Sequence, residues 1–362
     1  MTPSLRARRI RAGRALFFTT LQGALLALTL GALAQQPGAV PPTARGLYNW
    51  VHTTADAERA FAFYRDTLEL ALAPSPFVPA GAAPEGIRPA GQAGSDALVW
   101  NLTNTHGARF RTVFMRATNT PFGLELSEFF DIPRDERPAN AWDPGASKLI
   151  FAVRDLDLVM GRMRRQGAKI VTLGDSPVAT RAGRSIVVRD PDGYLIELRQ
   201  ASAGAIASAT APGPVVTTSI GITVADLRRA LEFYEGLLGL TVRGTERADD
   251  ALLRVHGLDG GELTITTVTI PGIDATVEIA RFAPPATAAP AKPFRWRIQD
   301  VGAPQFQLEV AGLDALLART SASGYAFLSV GGQPIERPFG RFVFAIDPDG
   351  VLVEFVEPTT PR

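Results

Sequence analysis

The sequence predicts an α+β fold of four βαβββ modules arranged as two tandem domains, and three observations carry the prediction. Asp190-Pro191-Asp192-Gly193 recurs 157 residues later as Asp347-Pro348-Asp349-Gly350, and a long-period repeat of this kind marks a duplicated unit. Segments of period-2 alternation flank both turns, as half-buried strands require. Between such segments, Asp56, Asp155 and Asp226 stand directly ahead of stretches with helical apolar spacing, where a side-chain oxygen can accept from first-turn amides.

In chain order, residues 1–34 come first. Arg6, Arg8, Arg9, Arg11 and Arg14 precede an apolar run from Ala15 to Leu33, interrupted by Thr19, Thr20 and Gln22 and closed by Ala32-Leu33-Ala34. That pattern reads as a secretory signal peptide cleaved after Ala34, which would place the mature protein in the periplasm or outside the cell. The other reading is an uncleaved anchoring helix, because the run approaches the roughly 20 residues that span a bilayer. Arg8-Arg9 leaves both the general and the twin-arginine route open. No later run is long and apolar enough to cross a membrane, so no membrane contact is expected after cleavage.

Four helices are expected near Asp56, Asp155, Asp226 and Gly312. Leu227, Leu231, Tyr234 and Leu238 form one apolar stripe, and Leu156, Val159, Met160 and Met163 another; stripes at this spacing face a core. Phe61, Phe63, Tyr64, Phe233 and Tyr234 are therefore read as packing residues. Gly167, Gly239 and Gly324 are placed to end helices in the left-handed conformation, and Glu69 occupies the position of Gly239 in the first copy. Glu197 maps to Glu354, Gly167 to Gly324 and Leu156-Asp157 to Leu313-Asp314 at the same offset of 157, while Asp56 and Phe63-Tyr64 map to Asp226 and Phe233-Tyr234 at 170. Ala201 to Pro214 is low in complexity and reads as a linker. The expected domains are residues 46–200 and 215–358.

Charge narrows the function. The chain carries 37 Lys+Arg against 36 Asp+Glu, a net +1. Five of the arginines lie in the first 34 residues, which hold no acid, so the remainder is at −4. Such a balance provides no field for phosphate backbones, and nucleic acid is excluded as a partner. With no cysteine and only His52, His106 and His256, disulfides, thiolate sites and a Cys nucleophile are excluded and imidazole chemistry is restricted.

The βαβββ unit taken four times, with Phe-Tyr in the first helix of each half and Asp-Pro-Asp-Gly before a Glu-bearing strand, resembles the vicinal oxygen chelate superfamily. That superfamily includes glyoxalase I, extradiol dioxygenases, fosfomycin resistance enzymes and bleomycin-binding proteins. The resemblance implies that two modules curl into a half-open barrel whose concave face holds the ligand. It also implies a metal site built from one residue in each module's first strand and one in its last, usually His and Glu. Carried onto this chain, the module pairs are Asn49 with Glu125, Lys148 with Glu197, Ser219 with Glu278, and Gln305 with Glu354. The first two pairs are assigned to the first domain's cup and the last two to the second's. The first module is 17 residues longer than the third between its mapped positions, and the extra length falls in Pro74 to Ala97, with five Pro and four Gly, as a lid or a surface loop.

No mapped position is His. The resemblance's transition-metal site is therefore not expected, and the cofactor expectation is none. Two carboxylates with amides or a hydroxyl suit only harder cations, Mg²⁺, Ca²⁺ or Mn²⁺, with Glu278 and Glu354 in the second domain as the candidates. Lys148 would fill the cation's place between Glu125 and Glu197. The plain alternative for the Glu/Lys set is a buried ionic network that only shapes the interior. His52 is read as packing under the first helix, His106 and His256 as turn residues, and the Asp-Pro-Asp-Gly segments as turns.

Two functions follow, both with a small molecule as partner. One is metal-independent binding, resembling the antibiotic-sequestering members, in which the mapped polar residues Asn49, Ser219, Glu278, Gln305 and Glu354 contact the ligand. The other is a lyase, isomerase or hydrolase using Lys148 as acid or Schiff-base nucleophile with Glu125 or Glu197 as base, or a hard cation at Glu278 and Glu354. A third reading makes one domain a structural partner of the other. The missing His argues against extradiol dioxygenase and glyoxalase chemistry.

Overall fold

A computed structural model describes residues 43–79 and 81–359; the expected signal segment, residues 1–34, lies outside the described residues. Among the described residues no helix is long and apolar enough to cross a membrane.

The first module runs β1 (Ala44–Thr53), α1 (Ala57–Leu68), β2 (Ala71–Leu72), α2 (Ala97–Thr103), β3 (Arg109–Arg116) and β4 (Gly123–Phe130). The second runs β5 (Ser147–Val153), α3 (Leu156–Arg165), β6 (Lys169–Ile170), β7 (Val178–Thr180), β8 (Gly183–Arg189) and β9 (Leu195–Gln200). After α4 (Ala203–Ser208), the third comprises β10 (Val215–Thr223), α5 (Leu227–Leu231), β11 (Thr241–Arg247), α6 (Asp250–Val255), β12 (Glu262–Thr269) and β13 (Thr276–Ala283). The fourth is β14 (Pro304–Val310), α7 (Leu313–Ala322), β15 (Ile335–Arg337), β16 (Gly340–Ile346) and β17 (Leu352–Pro358).

The helix boundaries follow the capping residues. Asp56 accepts from the Arg59 amide, Asp155 from Leu158 and Asp226 from Arg228 and Arg229, whereas Gly312 begins α7 without a side-chain cap. Glu69 ends α1 with φ +57°, taking the left-handed conformation that Gly239 takes at +76°. A side chain there costs backbone strain that glycine avoids.

Sheet pairing departs from the expected grouping. Within each module the first and last strands are parallel neighbours, β1 with β4, β5 with β9, β10 with β13 and β14 with β17. The free edge of β1 then pairs antiparallel with β14, and that of β5 with β10. The result is one sheet ordered β15-β16-β17-β14-β1-β4-β3-β2 and another ordered β11-β12-β13-β10-β5-β9-β8-β6. Each curved sheet thus combines a module from residues 46–200 with one from 215–358. Modules one and four share a cup, as do modules two and three. An open strand edge must be paired or protected, and any first strand of the repeat can do this; the repeat itself does not specify which.

The two sheets share a core that draws on all four modules, including Trp50, Phe63, Phe151, Phe233, Phe306 and Phe355, all at most 2% exposed. The Ala201 to Pro214 stretch is more anchored than a low-complexity linker suggests. Residues 203–208 form α4, and the Arg154 guanidinium donates to the carbonyls of Ile206, Ala211 and Gly213 at 3.2, 2.9 and 2.8 Å. Its backbone carbonyls provide what its side chains lack.

Candidate functional site

Strand parity places alternate side chains of β1, β4, β14 and β17 on the concave face of the first sheet. Glu125 and Glu354, 8% and 6% exposed, lie on this floor. A chain of amides links them: Asn49 Nδ2 donates to Glu125 at 3.4 Å and to Gln307 Oε1 at 3.0 Å, and Gln307 Nε2 donates to Glu354 at 2.7 Å. Ser127 donates to Glu125 at 3.5 Å, and Gln305 donates to Thr53 at 3.3 Å. Asn49 reaches its position because residue 123 is Gly: a Cβ there would fall 2.4 Å from Asn49 Oδ1.

Burial sets the ionisation of this pair. Desolvation, followed by the charge of Glu354, pushes Glu125 up to about 8 against the hydrogen bonds from Ser127 and Asn49. Desolvation also pushes Glu354 up to about 7, against the hydrogen bond from Gln307. Two carboxyls in one low-dielectric concavity cannot both ionise readily at neutral pH.

Above the floor is a cavity of about 520 Å³ walled by Phe110, Phe114, Phe129, Phe342 and Phe344. The long insertion supplies its lid. Phe77 stacks on Phe339 at 5.4 Å and meets Phe342 edge-on at 5.1 Å. Beyond Phe77 a second cavity of about 890 Å³ borders Tyr48, Asn49 and Arg116. Helix α2 forms part of the first cavity's wall through Val99, Leu102 and Thr103 and leaves its interior open.

The second sheet's cup is filled. Leu253 of α6, with Leu258 after it, packs on Ile265 and Ala280, and Val255 packs on Val187 and Leu195. Lys148 Nζ donates to Glu197 and to His256 Nε2, while His256 Nδ1 donates to the Leu252 carbonyl at 2.8 Å. Arg199 donates to Glu197 at 2.6 Å and to both Glu278 oxygens at 2.6 and 2.8 Å. Burial alone would raise Glu197, but Arg199 and Lys148, with His256, hold its carboxyl well below the usual range. Burial and the Lys148 ammonium lower His256, keeping it neutral. Gly221, paired with Lys148 across β10 and β5, makes room for the stem: a Cβ would lie 2.5 Å from Lys148 Cε. Ser219 accepts from Thr276 at 2.8 Å at the edge of this cup.

The eight mapped positions therefore fall into two sets of four, but not the expected sets. Asn49, Glu125, Gln305 and Glu354 belong to the open cup, and Lys148, Glu197, Ser219 and Glu278 to the filled one. Lys148 does not join Glu125, which removes that acid–base pairing, and as a buried, ion-paired ammonium it is unsuited to Schiff-base chemistry. Glu278 and Glu354 lie in different sheets, so no hard-cation site joins them. Arg199 and His256 escaped the sequence reading. Arg199 had a signal, because it shares strand parity with Glu197 two residues earlier; His256 had none beyond its position before Gly257.

His52 is buried as expected, stacked on Tyr194 at 4.3 Å and within 3.1 Å of the Tyr64 hydroxyl. Desolvation lowers it to about 4. His106 lies near Trp100 in the turn after α2. The Asp-Pro-Asp-Gly turns also act as clasps: Tyr64 donates to Asp190 at 2.9 Å and Tyr234 to Asp347 at 2.8 Å. They tie module two to module one and module four to module three.

The donors of the open cup do not fit the imidazole-bearing metal centre that the resemblance implies. Among the described residues, no group of three or more His, Cys, Asp or Glu could hold a metal ion. Asn49 and Gln307 direct amide nitrogens, not oxygens, toward the carboxyls.

Comparison with known proteins supports the fold. A lactoylglutathione lyase of Arabidopsis thaliana is 29% identical over 133 residues, covering 35% of this chain and 43% of that protein, less than half its length. The crystal structure of glyoxalase I from Zea mays superposes with a TM-score of 0.54 at 19% identity, covering 86% of this chain and 92% of that one. A point mutant of the same Zea mays enzyme gives 0.53 at 18% identity, covering 86% and 93%. At these identities the structures show a common fold, here two domains with curved sheets that stop short of closed barrels. The model of the Glyoxalase/Bleomycin resistance protein/Dioxygenase superfamily matches residues 49–198 and 217–355, and the chain belongs to that superfamily.

Proposed function

We propose that this is an exported small-molecule-binding protein with one ligand site, the open cup, and that the filled cup is its structural partner. The carrying observation is the contrast between the two concave faces. One encloses about 520 Å³ above Glu125 and Glu354, a volume suited to a drug-sized molecule. The other has its floor occupied by the Lys148–Glu197–His256 set and its interior by α6. No His lines the open cavity among the described residues, which supports binding without the superfamily's imidazole-held metal.

A catalytic reading has its own support. With Glu125 near 8 and Glu354 near 7, one member of the pair carries a proton at neutral pH while the other can accept one, the arrangement that general acid–base chemistry uses. A neutral solvatochromic dye, Nile red, tests the site itself. One equivalent should bind with blue-shifted emission, and Ser127→Trp, which projects into the cup, should suppress it. Two equivalents, or uptake indifferent to Ser127→Trp, would place binding elsewhere.

A further inference from the structure

We infer that the open cup takes a ligand bearing a protonated or quaternary ammonium group, seated at Glu125 and Glu354 among the phenylalanine rings. The inference rests on the open cup being a small-molecule site and names the class of molecule that fits it.

The filled cup acts as an internal control. It has two floor carboxylates, Glu197 and Glu278, and two built-in cations, Lys148 and Arg199. Carried by the internal repeat of 157, Glu197 becomes Glu354, but Lys148 becomes Gln305 and Arg199 becomes Val356. The open cup retains the two carboxyls and has lost both counter-charges, so a bound cation would stabilise their ionised forms. Among its lining residues Arg337 is the sole base, and it is ion-paired with Asp96 at the rim. Glu85 adds a further acid. Glu125 and Glu354 have only neutral donors, Asn49 and Ser127 for the one and Gln307 for the other.

The walls select among cations. Glu354 pairs across the sheet with Phe344, Glu125 with Phe114, and Val356 with Phe342, so aromatic side chains neighbour the carboxyls of the open cup, whereas those of the filled cup meet Lys148 and Arg199. An organic cation satisfies both surfaces at once, its charge at the carboxyls and its alkyl groups against the rings, the pairing by which aromatic cages hold quaternary ammonium groups. A bare divalent cation would answer the charge but leave the aromatic wall and most of the 520 Å³ unused. A neutral ligand would leave the carboxyls without a counter-charge, and an anion would be repelled by an ionised one. Val78 and Phe339, 38% and 40% exposed at the rim, suit the apolar remainder of the ligand.

The test is titration calorimetry on the mature chain after EDTA treatment, with benzyltrimethylammonium, its neutral isostere neopentylbenzene, and Ca²⁺ or Mn²⁺ alone. The ammonium should bind at one site at least about tenfold more tightly than the isostere. Glu354→Gln and Glu125→Gln should each reduce its affinity by about tenfold or more without weakening the isostere. Gln305→Lys, which restores the filled cup's cation, should abolish ammonium binding while the fold, followed by melting temperature, is kept. Equal affinity for the isostere, ammonium binding indifferent to these variants, or Ca²⁺ or Mn²⁺ saturating the site while the ammonium does not bind would each overturn the inference. If Nile red still binds in the cup after such a result, the small-molecule reading stands and only the ammonium assignment falls; if neither binds, both fall.

Discussion

Replacing Glu354 with Gln should stabilise the protein, and increasingly so as pH rises. Glu354 is buried and its pKa is raised from 4.5 to about 7, which corresponds to about 3 kcal/mol of preference for the protonated form. The sign follows from linkage. A carboxyl raised in the folded state binds its proton more tightly folded than unfolded, so the contribution of Glu354 to stability is greatest below pH 4.5 and is lost as pH climbs through 7. Gln cannot ionise, and its carbonyl can still accept from Gln307. It also removes the negative charge that raises Glu125. Below pH 4.5 wild type and variant should be about equal; at pH 8.5 the variant should be more stable by about 2 to 4 kcal/mol, toward the lower end if water hydrates the cup. Asp190 and Asp347 are likewise raised to about 7, but they act in both proteins and cancel in the difference. Urea unfolding at pH 4.5, 6.5 and 8.5 in EDTA measures the effect. A variant less stable than wild type at pH 8.5, or a gain independent of pH, would refute the claim that the two carboxyls share a low-dielectric floor without a counter-charge.

Three further outcomes are expected. Lys148→Met should cost about 3 kcal/mol at neutral pH by leaving Glu197 and Glu278 to Arg199 alone. Gly221→Ala should cost about 1 to 3 kcal/mol through its clash with the Lys148 stem, and in a double-mutant cycle of urea midpoints the two losses should fall well short of adding; full additivity would show that Lys148 does not lie over Gly221. Residues 35–208 and 209–362 expressed separately should each unfold without a cooperative transition and regain one on mixing, because the β1–β14 and β5–β10 seams join the halves; independent cooperative folding of either half would count against this interleaving. The intact mass of the exported chain should correspond to a start at Gln35, and a chain retaining Met1 would exclude cleavage after Ala34.

Much of the local architecture was determined by the sequence alone. Asp56, Asp155 and Asp226 cap helices because short carboxylates there meet free amides whatever surrounds them, and Gly167, Gly239 and Gly324 adopt positive φ as helix ends demand. Strand parity likewise assigns Glu125, Glu197, Glu278 and Glu354 to concave faces. Tertiary structure decided which of them share a face. Four near-equivalent modules expose four near-equivalent strand edges, and the choice of β14 for β1, rather than β5, depends on the packing of the whole core around Trp50, Phe151 and Phe306, a sum of small contacts spread over the chain. That choice separates Lys148 from Glu125 and brings Glu278, through Arg199, to the Lys148–Glu197 pair of module two. The position of α6 inside one cup and α2 at the wall of the other is settled the same way. Two copies of one sequence pattern thus become a filled cup with internal counter-charges and an open cup without them, a difference that the side chains encode but only their assembly reveals.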